Sequence, residues 1–230
     1  MLQVTDLTVE YADGTRAVDA VSFFIGASET VALIGANGAG KTSLLLALVG
    51  VLQQSGGEIQ ADGMILSRKT LRDIRSRIGI VFQNPDDQLF MPNIYEDIAF
   101  GPRSFGCDET ETAKCVDTVL SKLRIGHLAG KSPLRLSEGE KRLAAIAAVL
   151  ALNPSFILFD EPTAYLDPRA RRNLAAVISE IPQGKLIATH DLSFAEEVCS
   201  RVLLLQNGKL IADKGRELLK DTLALEAAGL

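Results

Sequence analysis

Residues 29–52 read ETVALIGANGAGKTSLLLALVGVL, and the fold turns on them. Residues 30–34 form a short run, apolar from Val31 on, the length of a strand covered on both faces, and residues 43–52 form a largely apolar run of helical length. Between them Gly35-Ala36-Asn37-Gly38-Ala39-Gly40-Lys41-Thr42 satisfies G-x-x-x-x-G-K-[ST] in the strand, loop, helix context that this pattern requires. Glycines let the backbone wrap closely round phosphates, and the loop N–H groups form an anion nest. Lys41 reaches β- and γ-phosphates, and the Thr42 hydroxyl is a ligand for Mg²⁺. Ser43, which opens the helix, is counted with the binding residues. A plain glycine turn before a helix is the alternative, and the matching context on both sides argues against it.

Working outward, LQVTDLTVEY, the turn ADGT and AVDAVSFFI predict a strand-rich start. After the first helix come a β-rich piece at 57–65, a helix near 71–76 and the strand IGIVFQ. From 84 to about 152 the pattern is mostly helical and loop-like, broken by Pro85, Pro92, Pro102 and Pro133. Strand signals return in FILFD at 156–160, KLIATH at 185–190 and RVLLLQNGKLI at 201–211. Buried runs of four to six residues separated by helices mark a parallel α/β sheet. The expectation is an α/β core carrying a helical insertion, without internal repeats or low-complexity linkers.

At 230 residues and 47% hydrophobic, the chain can build a substantial core. The longest apolar run, 143–152, is too short to cross a bilayer, and MLQVTDLTVEY has no signal-peptide pattern, so a soluble chain is expected. Cys107, Cys115 and Cys199 are few, scattered and odd in number, which fits reduced thiols rather than disulfides or zinc ligands. A net charge of −5 weighs against nonspecific nucleic-acid binding. The cluster Arg68, Lys69, Arg72, Arg75 and Arg77 reads as a solvated helix face, and no nucleic-acid partner is expected.

Phe156-Ile157-Leu158-Phe159-Asp160 is an apolar strand ending in a carboxylate, which suits an Asp holding Mg²⁺ through water beside the phosphate loop. Glu161 follows, placed to accept a proton from, or orient, a water attacking the γ-phosphate. Thr189-His190-Asp191 ends the next strand, from which His190 can reach the same phosphate. These elements alone fit a P-loop kinase, a switch GTPase or a motor ATPase.

Leu136-Ser137-Glu138-Gly139-Glu140 separates those classes. It opens an alanine-rich helix with Ser137 as N-cap and Glu140 three positions on, a capping box whose helix N-terminus attracts an anion. Here the chain resembles the ATP-binding cassette (ABC) ATPases, whose signature is LSGGQ. The resemblance implies a P-loop NTPase of the ABC nucleotide-binding type, with a mainly parallel sheet core, an N-terminal antiparallel β subdomain and an inserted helical lobe. It implies one domain over 1–230, with 1–83 and 156–230 as core and 84–155 as lobe. It also implies that Ser137 and Gly139 meet the γ-phosphate held by a second cassette, identical or different, while Glu140 serves the capping box and reaches a sugar hydroxyl. Glu138 departs from the pattern and is expected to turn toward Lys141 or Arg142, the alternative being that its charge weakens the closed dimer by repulsion. By the same resemblance Tyr11 stacks on adenine, and Gln83 touches Mg²⁺ and the attacking water. Asp167, in Ala164-Tyr165-Leu166-Asp167, belongs to the segment that crosses the dimer interface, where Tyr165 is bulkier than the usual residue.

Val81-Phe82-Gln83-Asn84-Pro85-Asp86-Asp87-Gln88-Leu89-Phe90, with EDIAFGP at 96–102 and YADGT at 11–15, is similar to the energy-coupling-factor and cobalt-type importer branch. That resemblance implies a Mg²⁺-dependent ATPase, with Glu161 as base and His190 on the γ-phosphate, energising uptake of a transition metal ion or a vitamin. A transmembrane subunit is expected to dock near Gln83 to Phe90, placing the chain peripherally on the cytoplasmic face of the membrane. A soluble ABC ATPase without a transport role, or a weakly hydrolysing nucleotide switch, is the alternative.

Overall fold

The computed structural model describes residues 1–226 and 228–230 in full. In chain order the elements are β1 (Leu2–Glu10), β2 (Arg16–Ile25), β3 (Thr30–Ile34), α1 (Lys41–Leu48), β4 (Gly56–Ala61), β5 (Met64–Ile65), α2 (Leu71–Arg77) and β6 (Ile78–Val81). Then follow α3 (Ile94–Phe105), α4 (Glu109–Lys122), α5 (Glu138–Leu150), β7 (Phe156–Asp160), α6 (Pro168–Glu180), β8 (Gly184–Thr189), α7 (Leu192–Val198), β9 (Arg201–Gln206), β10 (Lys209–Gly215) and α8 (Thr222–Ala227). They group into two units: 1–80 with 155–161 and 182–230, and 81–154 with 162–181.

The first unit holds two sheets. One has the order β2-β1-β4-β5, with antiparallel neighbours. The other has the order β10-β9-β3-β8-β7-β6, with β9, β3, β8 and β7 parallel and β10 turning back antiparallel at Asn207-Gly208. This is the expected α/β fold of a P-loop NTPase with an antiparallel N-terminal sheet. Val31, Ala32, Leu33 and Ile34 of β3 are fully buried, as a central parallel strand requires. Leu44, Leu45 and Leu48 of α1 are also wholly buried, in the same core cluster as residues of both sheets. Truncating one such leucine to alanine costs about 2–5 kcal/mol, so the helix after the glycine loop is held firmly. Register then sets the site: Ile34 lies opposite Thr189, and Asp160 opposite Ala188, so the carboxyl ends of β3, β7 and β8 share one edge.

The second unit is helical. α3 packs on α4 and α5, and α5 on α6. Side chains cap all four helices: Asn93, Asp108, Ser137 and Asp167 each accept from N–H groups of the first turn. The division differs from the sequence boundaries. Residues 162–181 group with the helices rather than with the sheet core, because α6 packs on α5 and the Arg142 guanidinium reaches the Ala164 carbonyl. Strand β6 also stops at Val81, so Gln83 lies two residues beyond its end rather than within it. Among the described residues, no helix is long and apolar enough to cross a membrane.

Candidate functional site

The loop between β3 and α1 is pinned from behind. Gly40 sits at φ +105°, and a Cβ there would stand 2.1 Å from the Ala17 carbonyl oxygen. At Gly35 the corresponding distance is 2.4 Å, to the Leu205 oxygen. Both contacts are impossible for a side chain, so the two glycines are fixed by backbone approach. The Gly208 N–H donates to the Ala39 carbonyl at 2.9 Å, tying the β9–β10 turn to the loop. Among the described residues no side chain caps α1, and first-turn N–H groups without a cap can bind an anion.

Lys41, 7% exposed, folds over the loop and donates to the carbonyls of Gly35 at 2.7 Å and Ala36 at 3.3 Å. Its ammonium is also 3.7 Å from Glu161 Oε1. The Thr42 hydroxyl donates to Asp160 Oδ2 at 2.9 Å. Glu161 is buried and adopts φ +43°, with its N–H donating to the Ala188 carbonyl at 2.8 Å. That left-handed turn directly after the strand is rare for a non-glycine residue and is held by the neighbouring strand. His190 Nδ1 lies 2.9 Å from Glu161 Oε2, while its ring stays largely exposed. Lys41, Thr42, Asp160, Glu161 and His190 thus converge on one sheet edge. Tyr11 joins them from the end of β1, its hydroxyl 2.8 Å from Ser43 Oγ and its ring partly exposed. Thr42 and Asp160 supply hydroxyl and carboxylate oxygens, the donor type that Mg²⁺ takes.

The remaining expected site residues lie in the second unit. Ser137 and Glu140 form a reciprocal capping box: Ser137 N–H and Oγ–H both donate to Glu140 Oε2 at 2.9 Å, and Glu140 N–H returns to Ser137 Oγ at 3.4 Å. These bonds hold the Glu140 carboxyl below the usual range. A Cβ on Gly139 would lie 3.1 Å from that of Ala170, so this glycine lets α5 and α6 approach closely. Asp167 caps α6 through Oδ1, and the N–H groups of Ala170 and Arg169 lower its pKa. Just before it Tyr165 stands 82% exposed at φ +63°.

Four polar residues hold segment 82–91, and of their contacts the sequence signalled one alone, the turn of Glu138 toward Lys141. Arg142, 2% exposed, donates to the carbonyls of Phe82 at 2.7 Å and Gln83 at 2.8 Å. Gln88 accepts from Phe82 N–H and donates to the Ala145 carbonyl. Lys141 binds Asp86 at 2.8 Å and Glu138 at 3.2 Å. Asp97 is buried in α3, where Oδ1 accepts from the N–H groups of Phe90 and Met91, both at 2.9 Å. Burial pushes the Asp97 carboxyl up against the opposing pull of these bonds. Segment 82–91 is therefore stitched to α5 at one end and to α3 at the other. Phe90 and Phe100, both exposed, meet edge to face at 5.1 Å.

A glycine loop ahead of a buried helix, with lysine, threonine and paired acids on one sheet edge, defines a phosphate-loop nucleotide-binding protein. A family model described as ABC transporter matches residues 18–164. The energy-coupling factor transporter ATP-binding protein EcfA of Carboxydothermus hydrogenoformans is 38% identical over 232 residues, covering 100% of this chain and 86% of that protein. CbiO1 of Clostridium perfringens, described as part of the ABC transporter complex CbiONQ, superposes with a TM-score of 0.86 at 35% identity, over 97% of this chain and 91% of that one. The ATP-binding cassette MJ0796, in a dimeric post-hydrolysis state with ADP and Pi, gives 0.82 at 25% identity, over 94% and 99%. The chain belongs to the ABC transporter family, as an ATP-binding and ATP-hydrolysing subunit.

Proposed function

We propose that this subunit energises an importer, and that its cargo is a transition metal ion or a vitamin selected by other subunits. Its likeness to EcfA and to CbiO1 supports that branch. We read residues 1–230 as one cassette that pairs with a second, identical or different, on the cytoplasmic face of the membrane. Each ATP is held by the phosphate loop of one cassette and met by Ser137 and Gly139 of the other. Segment 82–91, with Phe90 and Phe100 at its exposed edge, docks the transmembrane subunit. Its stitching to α5 gives that docking surface a direct mechanical tie to the signature helix.

The observation that carries the hydrolytic reading is Glu161, buried between Lys41 and His190. Incoming β- and γ-phosphates take Lys41 from the loop carbonyls and from Glu161. The carboxylate is then available to accept a proton from water as the water oxygen bonds to the γ-phosphorus and the bond to the β-phosphate oxygen breaks. His190 holds Glu161 through Oε2 and presents its exposed edge to the γ-phosphate. Thr42, Asp160 and Gln83 would hold Mg²⁺, which would supply neutralisation of the phosphate charge. Tyr11 stacks on the base, and Asp167 fixes the interface segment.

Affinity purification of the tagged chain from detergent-solubilised native membranes tests the transport reading. A polytopic membrane protein among the bound chains is expected, and its companions identify the cargo class. Recovery of soluble partners alone, from membranes shown to be intact, contradicts it and favours a soluble ABC ATPase.

A further inference from the structure

Glu138 places a carboxylate on the first residue of α5, where it competes with any anion approaching that helix N-terminus. Lys141 follows three residues later and reaches back along the helix, since side chains lean toward the N-terminus. Its ammonium stands 3.2 Å from Glu138 Oε1 and 2.8 Å from Asp86 Oδ1, with the lysine 8% exposed and both acids about half exposed. Asp86 sits in the short 3₁₀ turn Pro85–Asp87, whose backbone is capped by Asn84. The Asp86 carboxylate, and after it Glu138, hold the Lys141 ammonium above the ordinary lysine range, against the effect of burial. The lysine faces one acid from each side.

We propose that Lys141 is the positioning residue that makes this altered signature usable. It draws the Glu138 carboxylate along the side of α5 toward Asp86, so that Ser137 and Gly139 keep the helix N-terminus open to the γ-phosphate. The inference rests on the reading that this N-terminus meets ATP held by another cassette. It accounts for a glutamate at a glycine position without requiring a defective site: the charge is tolerated because a buried cation anchored from segment 82–91 takes it up.

Steady-state ATP turnover of the full chain tests this, with Lys141→Met, Lys141→Arg, Glu138→Gly and the double variant Lys141→Met/Glu138→Gly. An unmatched carboxylate beside the γ-phosphate lowers turnover of Lys141→Met about tenfold, the size of a like-charge interaction near a protein surface. Lys141→Arg keeps turnover within about threefold of wild type, because the same charge reaches both acids. The double variant regains the rate of Glu138→Gly, a rescue that a purely structural lysine does not give. Turnover of Lys141→Met equal to wild type, or a loss that Glu138→Gly fails to relieve, overturns the proposal while leaving the hydrolytic reading intact. A wild-type chain that turns over no ATP overturns both.

Discussion

Lys41 Nζ stands 3.7 Å from Glu161 Oε1, with both side chains less than a tenth exposed. In the proposed mechanism these are the cation for phosphate and the carboxylate for water, and they form one ion pair. Each is partly desolvated, so removing one leaves the other in a costly position.

Lys41→Ala removes the cation that the proposed mechanism sets against the phosphates. Charge-assisted hydrogen bonds contribute about 1.5–3 kcal/mol, so ATP affinity falls roughly tenfold to hundredfold. Equilibrium binding of ATP measures this, and unchanged affinity would remove Lys41 from the site.

His190→Ala removes the ring that fixes Glu161 Oε2 at 2.9 Å, leaving only the longer 3.3 Å bond from the His190 backbone. Loss of one oriented polar group at a reacting centre costs about a hundredfold or more in kcat. ATP affinity is expected to change less than about threefold, because Lys41 and the loop N–H groups remain. A fall in affinity with kcat intact would reassign His190 to ground-state binding.

Arg142→Met removes the buried guanidinium whose part-buried bonds join the carbonyls of Phe82 and Gln83 to α5. The expected loss of stability is about 2–4 kcal/mol, read as a lower melting temperature, and Arg142→Lys recovers only part of it because an ammonium cannot span both acceptors. An unshifted melting temperature would mean that water replaces the guanidinium.

Cys199 is buried, and burial pushes its thiol from 9.0 up to about 12. Between those two values the folded state retains a proton that the unfolded state has released. This contribution to stability is complete below the unfolded pKa and is lost as pH rises between 9.0 and about 12. Alkylation at pH 8 is expected to label Cys107 and Cys115, which are partly exposed, and to spare Cys199 until the protein unfolds. Equal labelling of all three in the folded protein contradicts the burial.

Features set by near neighbours were legible before the structure. The glycine loop, the strand FILFD and the Ser137–Glu140 capping box each declare themselves within a few residues. The stitching of segment 82–91 was not, because Arg142 lies 60 residues from Phe82 and Gln88 57 residues from Ala145, and nothing local in an arginine or a glutamine says which carbonyl it will meet. Asp97 was hidden for a related reason: an aspartate four residues into a helix reads as a solvated charge, and only the fold of 89–91 over α3 buries it. The unit boundary also moved, since the sequence signals the start of α6 but not that it packs on α5. Tyr165 remained visible as an oddity, and its φ of +63° supplies the reason: that backbone conformation suits glycine.

Glu161→Gln addresses the central claim most directly, because it keeps the side chain's size and shape while exchanging one carboxylate oxygen for an amide nitrogen and removing its basicity. The measurement is ATP turnover alongside retained ATP and dimer formation in size-exclusion chromatography with Mg²⁺. The account predicts a rate lower by about a hundredfold or more, with ATP held unhydrolysed in a stable dimer. Hydrolysis by Glu161→Gln at the wild-type rate would contradict it, and the base would have to be sought elsewhere.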